Sequence, residues 1–221
     1  MTTALTKEKV KSIYNRAYKY YDIFHKLGTF HIDEKGRSYV VKKVVQPDDY
    51  VLDAGGGTGL TSIKAAKKLS EKGKIVILDN SEKMLEMAKL KTDKLNLNDK
   101  IILRLGDMYQ IPYPDNTFDS VLSTYSTCPL SNPMEAVNEM LRVLKRGGVL
   151  GIVHSSDPDN RLTKWLSNGI ENIIWKFPGI SLGCRNIQLI NEIRKLNVDI
   201  IEERLIGFIP FYFKIIILIK R

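Results

Sequence analysis

Residues Val51 to Leu60 read Val-Leu-Asp-Ala-Gly-Gly-Gly-Thr-Gly-Leu. A short apolar run passes through an acid into a glycine loop, and a helical pattern starts directly behind it. Glycines at such a turn allow positive φ and let a ligand lie against bare backbone, while the helix N-terminus favours a polar or negative group. Two familiar readings of the loop fail. A Walker loop ends in Gly-Lys-Ser/Thr, and Gly59-Leu60-Thr61 has no lysine. A dinucleotide loop needs G-x-G-x-x-G, and Gly55, Gly57 and Gly59 are not spaced that way.

What remains is D-x-G-x-G-x-G with the acid at the strand end, the arrangement of S-adenosylmethionine (SAM) sites. Asp53 then faces the loop and the cationic amino-acid end of a ligand that has no pyrophosphate to repel it. Two further acids stand where such a ligand needs them. Asp79 ends the next apolar run, where a carboxylate accepts both ribose hydroxyls, with Asn80 beside it. Asp107 follows the third run and is set to take the adenine amino group, with the Met108 backbone beside the ring. One acid alone reads equally well as a helix cap near Ser81. Three acids at the carboxyl ends of neighbouring strands mark the place where open α/β sheets bind ligands.

The rest of the chain supports that sheet. Apolar runs at Tyr50–Asp53, Lys74–Asp79, Ile101–Leu105, Ser120–Ser123 and Val149–Val153 read as strands covered on both faces. Helical patterns at Leu60–Glu71, Ser81–Thr92 and Pro133–Leu144 alternate with them, which specifies an α/β sheet with right-handed crossovers. Val10, Ile13, Tyr14, Ala17, Tyr18, Tyr21 and Phe24 share one face of an N-terminal helix ended by Gly28, and a second short helix covers Arg37 to Val45. Further helices are expected over residues 161–175, broken at Pro178-Gly179, and over Asn186–Leu196. Val198–Leu205 and Phe208–Ile219 are separated only by a turn at Ile206-Gly207, too short for a crossover, so they pair antiparallel. The domains expected are an N-terminal helical cap or lid over 1–46, and a main domain over 47–221 with a cap insertion at about 155–180.

The net charge of +9 could suit nucleic acid, but it is unevenly spread. Residues 1–46 hold ten Lys/Arg against four Asp/Glu, and the longer remainder holds 24 against 21. The excess therefore belongs to the N-terminal segment rather than to the body. Cys128 and Cys184 build no disulfide scaffold and lack zinc spacing, so no metal site is expected. The longest apolar stretch, Phe208 to Ile219, contains Pro210 and Lys214 and falls short of the about 20 residues a membrane span needs. A soluble, cytoplasmic protein is expected.

In order along the chain stand Val51–Leu60, Leu78-Asp79-Asn80-Ser81, Gly106-Asp107 with Ile111-Pro112-Tyr113, Asn116-Thr117-Phe118-Asp119, and Leu141-Arg142-Val143-Leu144-Lys145-Arg146-Gly147-Gly148. On these motifs the chain resembles the class I SAM-dependent methyltransferases of small-molecule type. It is most similar to the ubiquinone/menaquinone C-methyltransferases and the related phospholipid and thiol methyltransferases. The resemblance covers about residues 48–155. It implies a Rossmann-like, seven-stranded sheet in the order 3-2-1-4-5-7-6 with strand 7 antiparallel. It implies SAM as cofactor, held by Asp53, Gly55, Gly57, Gly59, Asp79, Asn80, Asp107, Met108 and Ser123. Tyr21-Asp22 resembles the Tyr-Asp element that related enzymes place near the SAM end. Arg146 departs from the proline usual before the glycines.

Methyl transfer from SAM needs alignment of the acceptor and, for some acceptors, removal of a proton. The acceptor is expected over Ser123–Leu130, where the Asn/Asp-Pro-Pro-Tyr element of nucleic-acid N-methyltransferases is absent. Tyr14, Tyr18, Tyr21, Phe24, Trp165, Ile170, Trp175 and Phe177 would close an apolar pocket over it, each equally readable as plain packing. His154, directly after the fifth strand, is the best-placed candidate base, with His31 second. The expected acceptor is a small hydrophobic molecule such as a quinol precursor. The alternatives are a phospholipid amine or a thiol, then RNA, and then a SAM-binding protein without catalysis. The basic, apolar-faced N-terminal helix would allow peripheral contact with an anionic membrane.

Overall fold

The computed structural model describes residues 5–158, 160–175 and 184–221. Three helices precede the sheet: α1 (Lys7–Ala17), α2 (Tyr21–Gly28) and α3 (Ile32–Val44). β1 (Tyr50–Ala54), α4 (Leu60–Ala66), β2 (Lys74–Asp79), α5 (Glu82–Lys94), β3 (Ile101–Leu105), β4 (Phe118–Thr124), α6 (Pro133–Val143) and β5 (Leu144–Ser155) follow in alternation. α7 (Arg161–Trp175), a short α8 (Ile190–Ile193), β6 (Val198–Phe208) and β7 (Phe211–Lys220) complete the chain. The sheet runs β3-β2-β1-β4-β5-β7-β6, as the motifs imply. β1 to β5 are parallel, and β7 inserts antiparallel between β5 and β6.

Alternate side chains of each central strand enter opposite cores, which is why those strands read as unbroken apolar runs. Leu52, Val76, Leu78, Val121 and Ile152 pack with Val137 and Met140 of α6 on one face. Val51, Ile75, Ile77 and Leu122 pack with Val40, Val41 and Val44 of α3 and Ala65 of α4 on the other. α3 is thus part of the sheet's covering layer. α1 lies against α5 instead, where Ser81, the N-cap of α5, also donates its hydroxyl to Asn15 Oδ1 at 2.5 Å.

Several boundaries differ from the sequence expectation. The N-terminal helix breaks at Tyr18–Tyr20, so that α2 can turn Asp22 onto the glycine loop, where it accepts from Thr58 Oγ1 at 2.6 Å and pairs with Lys91. α3 begins at Ile32 rather than Arg37, because Phe30 and His31 make the corner at positive φ. α4 ends at Ala66 instead of Glu71. The helix expected over Asn186–Leu196 shrinks to α8, since the chain before it runs extended and Ile187 N donates to Ser155 O at 3.1 Å. The hairpin turns at Ile209-Pro210 rather than Ile206-Gly207, a position where proline's fixed φ and missing N–H do no harm. Phe177 and the Pro178-Gly179 break lie outside the described residues, as do the side chains of Phe24 and Trp175. Among the described residues no helix is long and apolar enough to cross a membrane.

Candidate cofactor and acceptor site

The parallel strands end together, and the cleft opens over the carboxyl ends of β1, β2, β3 and β4. The space within it, counted out to its open mouth, is about 880 Å³. The glycine loop forms one lip. Gly55, Gly57 and Gly59 all have positive φ, and a Cβ on Gly55 would come within 2.5 Å of Ser126 Cβ.

The four glycine amides of the loop are already spent. Gly55 N and Gly56 N both donate to Leu78 O, Gly57 N donates to Asp79 Oδ2 at 2.9 Å, and Gly59 N donates to Gly56 O. The loop offers room for a ligand rather than a nest of free N–H groups for a phosphate.

Of the residues expected around the cofactor, Tyr21, Gly55, Gly57, Asp79, Asn80, Asp107 and Met108 line this cleft together. Asp79, at the end of β2, accepts from Gly57 N and from Ser81 N at 2.9 Å each. Burial pushes its carboxyl up to about 6 against those hydrogen bonds. Asp107 accepts from Tyr109 N at 2.9 Å and from Lys7 Nζ at 3.1 Å, which ties α1 across the cleft. Three expected residues sit behind the lining. Asp53 is fully buried beneath the loop: Ser62 Oγ donates to its Oδ2 at 2.6 Å, and its Oδ1 has no partner. Burial pushes its carboxyl, too, up to about 6. Gly59 is the N-cap of α4, packed over Ile77 and Ala88. Ser123 is buried and hydrogen-bonds Ser126 Oγ at 2.7 Å, and Ser126 in turn donates to Ala54 O.

His154 is not brought to the cleft. It lies buried on β5 opposite Lys214 of β7, with Nδ1 against Ser155 O at 2.9 Å and Nε2 unpartnered. Burial pulls its imidazole down to about 4, so it is neutral at neutral pH. His31 is an exposed corner residue facing Glu34 at 3.6 Å. The imidazole beside the site is His25, whose Nδ1 lies 2.9 Å from Asp33 Oδ2 and whose ring is 5.3 Å from both Tyr21 and Tyr125.

Beyond the loop the wall is apolar and aromatic: Val10, Tyr14, Tyr21, Tyr125, Pro129 and Leu130. Tyr14 was expected there from its helical face. Tyr125 falls within the Ser123–Leu130 stretch expected under the acceptor, whereas Arg37 and Lys7 were not expected, because both read as ordinary surface charges. Burial pushes the phenols of Tyr14, Tyr21 and Tyr125 up, so they remain neutral hydrogen-bonding groups. Tyr18 is only half-buried and does not line the cleft, and Trp165 and Ile170 are exposed.

The residues present fit SAM. An unpaired buried carboxylate oxygen at β1, an acid after β2 and another after β3 suit a ligand that is a nucleoside at one end and carries cationic groups at the other. A phosphate would meet an acidic rim and glycine amides already engaged. On this sheet order, with its antiparallel seventh strand, that cleft defines a class I SAM-dependent methyltransferase. The chain belongs to the ubiE/COQ5 methyltransferase family, whose model matches residues 2–168.

A demethylmenaquinone methyltransferase of Lactobacillus johnsonii is 30% identical over 182 residues, which is 82% of this chain and 73% of that protein. Another, of Symbiobacterium thermophilum, is 29% identical over 72% of this chain and 64% of its own length. Among solved structures, a geranyl diphosphate methyltransferase in complex with SAM superposes with a TM-score of 0.69 at 15% identity, covering 84% of each chain. That likeness is one of fold.

Proposed function

We propose that the protein methylates a ring carbon of a prenylated hydroquinone. The observation that carries this reading is the aromatic and apolar set Val10, Tyr14, Tyr21, Tyr125, Pro129 and Leu130 that lines the cleft together with the glycine loop. It suits a flat, greasy acceptor better than a charged amine. The names of the relatives point the same way. SAM, when bound, supplies a methyl on a sulfonium that is itself a good leaving group. On a ring carbon that methyl would take the place of a hydrogen, and the proton released would pass to solvent water. The chain's part is to orient and to dry. Neutral Tyr14, Tyr21 and Tyr125 line the space the ring would occupy, and α1 is strapped over the cleft by Lys7 to Asp107 and by Lys11 to Glu82.

Transfer of labelled methyl from SAM to demethylmenaquinol is the test, with phosphatidylethanolamine, a small thiol and RNA offered in parallel. Transfer to the quinol alone is expected. Transfer to any of the others in its place overturns the reading.

A membrane-resident acceptor needs an approach surface, and α1 does not supply it. Val10 and Ile13 are buried, and Tyr14 faces the cleft. The exposed stripe lies on and beside α2: Tyr20, Ile23, Leu27 and Phe30 are 58–65% exposed, and the Phe30 ring packs tilted against Phe208 of the β6–β7 hairpin, with ring centres 5.7 Å apart. Arg16, Lys19 and Lys35 are exposed near it in sequence, and the acid of α2, Asp22, is held by Lys91 and Thr58. We infer that this face rests on an anionic bilayer. Co-sedimentation with phosphatidylglycerol-containing vesicles is expected for the native chain and lost in Ile23→Asp/Leu27→Asp. Equal sedimentation of both proteins rules the surface out.

A further inference from the structure

α3 carries a guanidinium that is almost sealed from solvent, yet borders the cleft: Arg37 is 5% exposed. A buried arginine is stable only when its charge is compensated and its five donors are occupied. Nη1 donates to Thr61 Oγ1 at 2.9 Å and to Thr124 Oγ1 at 3.0 Å, and the guanidinium carbon lies 4.8 Å from the Tyr125 ring centre. Nε is buried without a partner. Its nearest carboxylate, Asp33, stands off at 3.7 Å and is engaged elsewhere, by His25 at 2.9 Å and by Thr29 Oγ1 at 2.7 Å. Although burial opposes its charge, the surrounding phenols and carboxylates hold Arg37 above its ordinary range. The region therefore contains two incompletely satisfied groups of opposite sign, Arg37 Nε and Asp53 Oδ1. Each feels the other's charge.

We propose that Arg37 binds the α-carboxylate of the methionine end of SAM, with the Asp53 carboxylate favouring the α-ammonium beside it. Strand order supports this placement. Asp107 stands after β3 and Asp79 after β2, and Arg37 is tied to Thr61, just behind the β1 loop, and to Thr124 at the end of β4. Adenine, ribose and amino acid thus follow the sequence β3-β2-β1-β4. A guanidinium that touched the acceptor alone would not need its anchors on the β1 loop's own helix. Gly36 makes the site possible, because a Cβ there would lie 2.4 Å from Tyr125 Oη and push α3 off the sheet.

The test is calorimetric and uses the full chain. The native protein is titrated with S-adenosylhomocysteine, its decarboxylated analogue and 5′-methylthioadenosine, which lacks the amino acid altogether. Loss of the carboxylate is expected to weaken binding by about tenfold or more. Equal affinity for S-adenosylhomocysteine and the decarboxylated analogue overturns the proposal without any mutation. In Arg37→Met, S-adenosylhomocysteine is expected to weaken by a similar factor while methylthioadenosine binds as before. Arg37→Lys, which keeps the charge and loses the fork, is expected to fall between. Weakening of both ligands alike would make Arg37 a structural residue. An unchanged cofactor affinity with a raised acceptor KM would assign it to the acceptor. Either result overturns the proposal.

Discussion

Replacing Asp79 with alanine is expected to weaken binding of SAM or S-adenosylhomocysteine by about 100-fold, or about 2.7 kcal/mol. Charge-assisted hydrogen bonds contribute about 1.5–3 kcal/mol each, and a carboxylate at this place would make two to the ribose hydroxyls. The same side chain also moors the glycine loop through Gly57 N and the start of α5 through Ser81 N. Asp79→Asn is expected to fall between, since it keeps one acceptor oxygen. Calorimetric titration with S-adenosylhomocysteine checks both, and an unchanged affinity in Asp79→Ala removes the ribose from this residue.

A pH series sharpens the expectation, because cofactor affinity and apo-protein stability should move in opposite directions. Burial raises both Asp53 and Asp79 to about 6. As pH falls through about 6 both take up protons, the negative charge at the cleft (Asp79) and beneath its loop (Asp53) is lost, and affinity declines. Without cofactor, the folded state binds these protons more readily than the unfolded chain does. Their burial cost is therefore fully present above about pH 6 and is relieved as pH falls toward the ordinary carboxylate range. In Asp79→Asn the affinity profile should flatten, leaving the part due to Asp53.

The sheet was legible because its signals are local. Both-face burial writes β1, β2, β4 and β5 as continuous apolar runs, and a two-residue gap forbids a crossover between the last two strands. The loop was legible because no other element needs so many glycines directly after an acid. Misreadings arose where tertiary contacts overrule the helical period. The first helix breaks so that Asp22 can reach Thr58 and Lys91. Asn186–Leu196 becomes helical only from Ile190, because Ile187 is bound to Ser155 rather than to its own helix.

Side-chain direction was the harder quantity. His154 stands at a strand end as expected, but its ring is buried beside its own strand rather than turned into the cleft. Arg37 carries no sequence signal, since an arginine within a helical pattern reads as a solvated charge. It becomes a cleft residue only because α3 is covered on its sheet side and Gly36 lets it approach Tyr125. The N-terminal excess of positive charge likewise changed meaning. One of its lysines, Lys7, is a strap to Asp107, and the apolar residues left in the open belong to α2 rather than α1.

Gly55→Ala and Gly147→Ala separate what the loop owes to backbone geometry from what it owes to space. Both glycines have similar positive φ, +70° and +75°. A Cβ on Gly147 would meet nothing within 4 Å, so that substitution carries only the left-handed backbone cost of about 1–2 kcal/mol. A Cβ on Gly55 would lie 2.5 Å from Ser126 Cβ and 2.8 Å from Met108 Sδ. The Met108 thioether can swing aside, but Ser126 is fixed by hydrogen bonds to Ala54 O and Ser123 Oγ. That overlap adds about 1–3 kcal/mol. At about 2–4 °C per kcal/mol for a domain of this size, Gly147→Ala should lose a few degrees of Tm and Gly55→Ala roughly 5–15 °C. Only Gly55→Ala should also abolish binding of S-adenosylhomocysteine, because the new methyl pushes the loop away from β4 and across the place the ligand needs. Equal melting losses in the two variants, with cofactor affinity intact in Gly55→Ala, would show that the loop serves the fold and does not cradle the cofactor.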